Sequence, residues 1–326
     1  MDLTFVRHPG RRSTLLLLIA VVGAGVAALA YLTTPLVSAP VPVPDSPVSR
    51  GLAPDGRIRV PMFVDPALVK PTPRFRFSFD PPAALEALRV EENLDAVVAG
   101  AADDLDAALR LMHWVRRQWE PGIPSPYPPI DARIILRDIR SGFTGGFCAQ
   151  YNYVLAQGLQ SLGLPARYVT LIEHEVIEVY LPSRDRWVCL DPLYDTTYTD
   201  GAGNPLSVHE IQSRGRSGLP VRITDPRLTE NAYPGDPQAH MAAFASFSVW
   251  VKNDHVSSPI NFTDLERYKV HFLPDGPGST HLPPGALETS EPADLYPGQA
   301  PSPTELTCRK DTPKLEASHE LRKSGQ

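Results

Sequence analysis

Three residues between Ser141 and Pro192, namely Cys148, His174 and Asp191, have the types and the order that thiol acyl transfer requires. A thiol becomes a strong nucleophile when a base takes its proton, and a carboxylate can hold that base in one orientation. The cysteine closes the run Ser141-Gly142-Phe143-Thr144-Gly145-Gly146-Phe147-Cys148, where a glycine-bearing turn gives way to a helical pattern. Tyr151, Leu155, Leu159 and Leu162 share one side of that pattern, which stops at Gly163-Leu164-Pro165. Cys148 therefore stands at a helix N-terminus. Unpaired backbone N–H groups and the positive end of the helix dipole converge there and favour the thiolate.

The histidine and the aspartate must be brought to that helix by strands. Ala166 to Ile172, Glu175 to Leu181 and Trp187 to Leu190 read as strands, the last two joined through the turn-forming Pro182-Ser183-Arg184-Asp185. Centring that turn between Ser183 and Arg184 sets Ile177 opposite Leu190 and Val179 opposite Val188, which gives one apolar face. The other face is polar and mixed: His174, Val176, Glu178 and Tyr180 lie across from Trp187, Cys189 and Asp191. Asp191 then faces Val176 and is the diagonal neighbour of His174, about 7–8 Å away between backbones. A slip of one residue would expose the apolar face and part the two groups. Glu178 is the alternative carboxylate on the same face.

The segment resembles the core of the transglutaminase-like superfamily of papain-like thiol enzymes. The resemblance lies in Gly146-Phe147-Cys148, in Leu162-Gly163-Leu164-Pro165-Ala166-Arg167, in His174 with Glu178-Val179 following, and in Trp187 leading to Asp191-Pro192. It implies Cys148 as nucleophile, His174 as general base and acid, and Asp191 as the group that orients the histidine. It also implies an α+β papain-like core, with the nucleophile at a helix N-terminus packed on an antiparallel sheet. A tryptophan upstream of the cysteine donates to the oxyanion in such enzymes, which makes Trp119 an oxyanion candidate beside the backbone N–H of Cys148. Family members often carry a small residue and a tryptophan after the histidine, where this chain has Glu175 and Val176. An arylamine acetyltransferase uses a similar triad, but the Trp187 to Pro192 segment fits transglutaminases better.

Residues Thr14 to Leu32 are uncharged and apolar, and about 20 such residues cross a bilayer. Arg7, Arg11 and Arg12 precede them, which keeps that end in the cytoplasm and delivers the rest to the periplasmic or extracellular side of a single-pass membrane protein. Ala28-Leu29-Ala30 has the form that a signal peptidase accepts, so cleavage is the competing reading. The expected organisation is a basic N-terminus at 1–13, a transmembrane signal-anchor at 14–32 and a Pro-rich linker at 33–56. A transglutaminase-like domain follows at 57–270, with its core at 101–200, and a disordered Pro-rich tail at 271–326. The 36 prolines among 326 residues, against an average usage of about 5%, cluster toward the two ends. Arg74 to Phe79 alternates as a half-buried strand. Two helical patterns follow it, one with Leu85, Leu88, Leu94 and Val97, the other with Leu105, Leu109, Met112 and Trp119 after Asp103 or Asp104 as cap.

A net charge of −6 without a long basic run argues against nucleic acid as partner. Three cysteines cannot all pair within one exported chain, which leaves Cys148 as the free thiol and Cys189 and Cys308 bridged or separately inert. No cofactor is called for. Metal fits poorly, because no second histidine stands at helical spacing from His174. The expected function is a cysteine-dependent amide hydrolase or acyltransferase acting on a protein or peptide. The alternative is a catalytically silent transglutaminase-like binding or scaffold module on the export side of the membrane.

Overall fold

The computed structural model describes residues 74–224, 237–276 and 285–297, together with residues 72, 282 and 299. The expected basic N-terminus, the signal-anchor at 14–32, the linker at 33–56 and Cys308 lie outside these residues. Among the described residues no helix is long and apolar enough to cross a membrane.

Helices α1 (Glu86–Glu91), α2 (Leu94–Val98), α3 (Asp104–Arg116), α4 (Ala132–Arg140) and α5 (Cys148–Ser161) precede the main sheet. Asp103 caps α3 by accepting from the Asp106 N–H, as its place before the apolar pattern predicts. Helix α4 has an equally direct start signal, since Asp131 accepts from the N–H groups of Arg133 and Ile134. The short strand β1 (Ser78–Phe79) is all that forms of the strand expected from Arg74, and Phe75, Phe77 and Phe79 pack against a second core on the far side of the sheet.

The sheet contains β2 (Ala166–Leu171), β3 (Glu175–Leu181), β4 (Arg186–Asp191), β5 (Thr196–Thr199) and β6 (Arg222–Thr224). Helices α6 (Val208–Arg216) and α7 (Pro237–Ala243) lead to β7 (Phe247–Trp250), while β8 (Lys252–Asn253) pairs with β1. Strands β9 (Lys269–Phe272) and β10 (Leu287–Thr289) complete the order β10-β9-β7-β2-β3-β4-β5-β6. All neighbours are antiparallel except β9 and β10. The β3–β4 register pairs Ile177 with Leu190 and Val179 with Val188, as the apolar alternation requires.

Helix α5 is buried along its whole length from Ala149 to Ser161 and packs on β2 and β3. Polar side chains on a helix enclosed on all sides find their partners inside the protein, and three of them clip distant segments to it. Gln157 Oε1 accepts from the Ala132 N–H at 2.7 Å, Gln160 Oε1 from the Asp80 N–H at 3.0 Å, and Asn152 Nδ2 donates to the Glu175 carbonyl at 2.6 Å.

One point is left open by the sequence and one expectation needs correction. The second face of the β3–β4 hairpin is buried: Val176, Tyr180, Trp187 and Cys189 form the second core with Ile211, Phe244 and Tyr296. Its charges are closed in as a pair. Arg167 donates to Glu178 at 2.7 and 2.9 Å, and its guanidinium lies 3.9 Å from the Trp187 ring centroid. Within the tail expected from residue 271, the described residues 271–276 and 285–297 are structured. There β10 extends the sheet, Tyr296 donates its hydroxyl to Glu178 at 3.1 Å, and the Leu295 carbonyl accepts from Arg167 at 2.6 Å. A buried ion pair needs hydrogen bonds on its remaining atoms, and this segment supplies them.

Candidate active site

Cys148 is the first residue of α5, and the loop before it is held by close backbone contact. A Cβ on Gly145 would meet the Ile123 carbonyl oxygen at 2.5 Å, and one on Gly146 would meet Ile139 Cδ1 at 2.6 Å and Trp119 Nε1 at 2.8 Å. Glycine is required at both positions because the 119–123 segment runs directly against them. Its attachments are the Gly122 N–H, which donates to the Gly146 carbonyl at 3.0 Å, and the Thr144 hydroxyl, which donates to the Pro126 carbonyl at 2.7 Å. At the helix start the Phe147 N–H donates to Gln150 Oε1 at 2.9 Å. The Cys148 N–H belongs to the first turn and has no intrahelical acceptor.

His174 closes the turn between β2 and β3, where the Leu171 N–H donates to its carbonyl at 2.8 Å and Glu173 takes a positive φ of 54°. Asp191 ends β4. Its Oδ1 accepts from the backbone N–H groups of Leu193 and Tyr194, so the turn that follows fixes the carboxylate. Its Oδ2 lies 2.6 Å from His174 Nε2. The carboxylate is fully buried and His174 largely so.

With Nε2 on Asp191, the other ring nitrogen of His174 is left for a second partner, and the Cys148 thiol, which donates to Glu175 Oε2 at 3.8 Å, is near enough to act on the ring's charge. Burial pulls the imidazole down, but the charge and hydrogen bond of Asp191 and then the thiol of Cys148 override it and raise the histidine to about 11. Asp191 and the thiol thus both favour a proton on the ring, as a base that takes the thiol proton requires. Cys189, by contrast, is a buried free thiol pushed well up by burial and then by Glu178 and Asp191, which disfavours its thiolate.

Trp119 is brought to the site, but its indole N–H donates to the Gly146 carbonyl at 3.2 Å while its ring stacks on Tyr151 at 4.2 Å between centroids. In this geometry Trp119 braces the turn before Cys148. Glu178, the alternative carboxylate, is engaged with Arg167, the Val208 N–H and Tyr296, away from His174.

Three further residues join the site that sequence reasoning does not place there. The Tyr198 hydroxyl lies 3.2 Å from Asp191 Oδ2 and 2.5 Å from His240 Nε2. Glu175, in sequence only a departure from the family pattern, places Oε2 3.8 Å from Cys148 Sγ. Strand alternation is a usable signal for Glu175, since it shares parity with Ile177 and so turns toward α5. No comparable signal exists for Tyr198 or His240.

His174, Asp191 and His240 carry donor atoms within 4.8 Å of one another and form a group able to hold a metal ion. Those atoms are already joined to each other and to Tyr198 by hydrogen bonds, so a cation would displace the contact that orients His174. Hydrogen bonding accounts for the cluster without metal.

A thiol on the start of α5, an imidazole just before β3 and a buried carboxylate at the end of β4 thus converge. Residues 92–192 match the transglutaminase-like superfamily. This transglutaminase-like segment contains all three groups. No curated protein is a match for the chain. Among solved structures, one from a study of β-hairpin motifs in DNA duplex opening by the Rad4/XPC nucleotide excision repair complex is similar at 10% identity with a TM-score of 0.25. That similarity covers 52% of this chain and spans 40% of the other chain, and at such a score it carries no argument.

Proposed function

We propose that this protein is a cysteine-dependent enzyme that acts on amide bonds of a protein or peptide by thioester acyl transfer. The observation that carries the reading is the 2.6 Å contact between His174 Nε2 and Asp191 Oδ2, which leaves the other ring nitrogen for a thiol at a helix start. The Cys148 proton passes to His174, and the thiolate attacks the amide carbonyl. The resulting oxyanion is received by the Cys148 N–H. His174 then gives its proton to the leaving amine and a thioester remains. Acylation removes the thiolate's share of the field that raises His174, so the ring becomes a better proton donor as the reaction needs one. Water or an amine enters next, loses a proton to His174 and releases the acyl group.

On sequence grounds the enzyme is exported and tethered through residues 14–32, with its catalytic domain on the far side of the membrane. The full chain then partitions with membranes, while a chain starting near Gly51 is soluble.

The test of the chemistry is alkylation of the native protein by iodoacetamide across pH, with the labelled sites mapped. Cys148 reacts far faster than Cys189, and His174→Ala slows it. Equal labelling of the two thiols, or none at Cys148, overturns the reading.

A further inference from the structure

Glu175 is the charged side chain beside the nucleophile that the triad does not use. Its Oε2 is 3.8 Å from Cys148 Sγ and accepts a hydrogen bond from the Tyr168 hydroxyl. Its backbone carbonyl is tied to α5 by Asn152, so the side chain starts from a fixed point. The arginines of the neighbouring strands are engaged elsewhere, Arg167 with Glu178 and Arg186 with Glu210, and among the described residues no cation pairs with Glu175. The reaction places a second negative charge, the thiolate, against this carboxylate. Two like charges at such a distance repel, and a cation delivered between them relieves both.

The surroundings fit a small cation. Tyr127 is half-exposed, and its hydroxyl is pushed up to about 12 by burial and then by the negative charge of Glu175, with Cys148 adding to it, which makes it a neighbour of both. A half-exposed tyrosine in the neighbourhood of a carboxylate adds cation–π attraction to the charge that draws an ammonium group. The lengths also close. In a near-attack complex the carbonyl carbon sits about 3–3.5 Å from sulfur, and the α-nitrogen of the same residue is about 2.5 Å from that carbon by standard bond lengths. A charge-assisted hydrogen bond of about 2.8 Å then reaches Oε2 across the observed 3.8 Å gap.

We infer that Glu175 is a specificity-determining residue that binds the free α-ammonium of the residue whose carbonyl Cys148 attacks. The protein is thereby selective for substrates with an unblocked N-terminal residue. This rests on the amide-directed reading of Cys148.

The experiment has two arms on the full chain. In the first, Cys148 is modified by 2-aminoethyl and by 2-sulfonatoethyl methanethiosulfonate, and the rate ratio is divided by the ratio that 2-mercaptoethanol gives with the same two reagents. The wild type favours the cationic reagent about tenfold more than 2-mercaptoethanol does, as one charge at this range provides. Glu175→Gln loses that preference, with the rate toward neutral iodoacetamide measured alongside to divide out the change in thiol reactivity that loss of the carboxylate brings. In the second arm, aminoacyl arylamides are turned over faster than their Nα-acetylated forms, and Glu175→Gln removes the difference. A wild-type ratio equal to that of 2-mercaptoethanol overturns the inference without any variant, and so does a preference that survives Glu175→Gln. Charge preference without turnover of any amide sinks the enzyme reading and leaves the cation subsite standing. Turnover indifferent to the α-ammonium does the reverse.

Discussion

The Tyr198 hydroxyl lies 3.2 Å from Asp191 Oδ2, the same carboxylate oxygen that holds His174. An ionised carboxylate only accepts, so the hydroxyl proton points to Asp191, and the Tyr198 oxygen in turn takes the proton on His240 Nε2. Burial lowers His240 to about 4, against a smaller upward pull from Asp191, which keeps it neutral at working pH and able to serve as this donor.

Tyr198→Phe is therefore expected to reduce kcat/KM by about tenfold, the scale of one hydrogen bond to a charged group. Because the tyrosine touches no reacting atom, the loss falls on kcat, and the pH profile moves with it as Asp191 becomes a stronger partner for His174. Steady-state kinetics from pH 5 to 10 check this. A loss confined to KM, or a profile that does not move, removes Tyr198 from the positioning of the triad.

Asp191 and Glu178, carboxylates on opposite strands of the β3–β4 hairpin, are expected to separate by phenotype. Asp191→Asn leaves a folded protein with activity down on the order of a thousandfold or more, and adding Cys148→Ala to His174→Ala deepens the defect little, since the groups act as a unit. Glu178→Gln instead strands the buried guanidinium of Arg167 and destabilises the fold by about 3–5 kcal/mol. Urea denaturation of both variants beside turnover distinguishes the outcomes. Intact stability in Glu178→Gln with lost activity would contradict the assignment of Asp191 as the partner of His174.

The legible part of this structure is the part written in local pattern. Ile177 and Val179 alternate against Val188 and Leu190 across a turn whose residues are explicit, so register and the approach of His174 to Asp191 follow from core burial. The Cys148 helix is legible because glycine punctuates both of its ends. What could not be read depends on distant partners. Strand β7 enters the sheet between β2 and β9, and whether residues 240–251 cover the core or wall the cleft has no local signature. His240 reaches Tyr198 across 42 residues. The mixed face of the hairpin gives no sign of what covers it until α6, α7 and the 292–297 segment are seen to close over it.

The brace between Trp119 and Gly146 gives the next prediction. Trp119→Phe keeps an aromatic ring on Tyr151 but loses the N–H, so stability drops by about 1 kcal/mol and kcat by less than tenfold. An oxyanion donor removed from its post costs about 10²–10³ in kcat. Gly146→Ala is worse than Trp119→Phe in both respects, because its Cβ has no room between Ile139 and the indole. A hundredfold fall in kcat for Trp119→Phe at unchanged stability would return the indole to the oxyanion.

Two buried histidines set the acid limit of the fold. Burial lowers both His240 and His255 to about 4 in the folded protein, opposed at His240 by Asp191 and at His255 by Asp80 and Asp254. The unfolded chain titrates near the ordinary value of about 6.5, so between roughly pH 6.5 and 4 it binds more protons than the folded one. Stability therefore rises with pH through that window and is lost as pH falls through it, each histidine contributing on the order of 3 kcal/mol. His174 works in the opposite sense. Raised to about 11 by Asp191 and the thiol against its burial, it stabilises fully below pH 6.5 and loses that contribution as pH climbs toward 11. Urea midpoints measured from pH 4 to 10 are expected to peak between the two limbs. His255→Phe flattens the acid limb without touching activity, since that ring packs among Tyr153 and Trp250 away from the triad, whereas His174→Ala flattens the alkaline limb. An acid limb that keeps its slope in His255→Phe would mean that the ring is not held neutral in the folded protein.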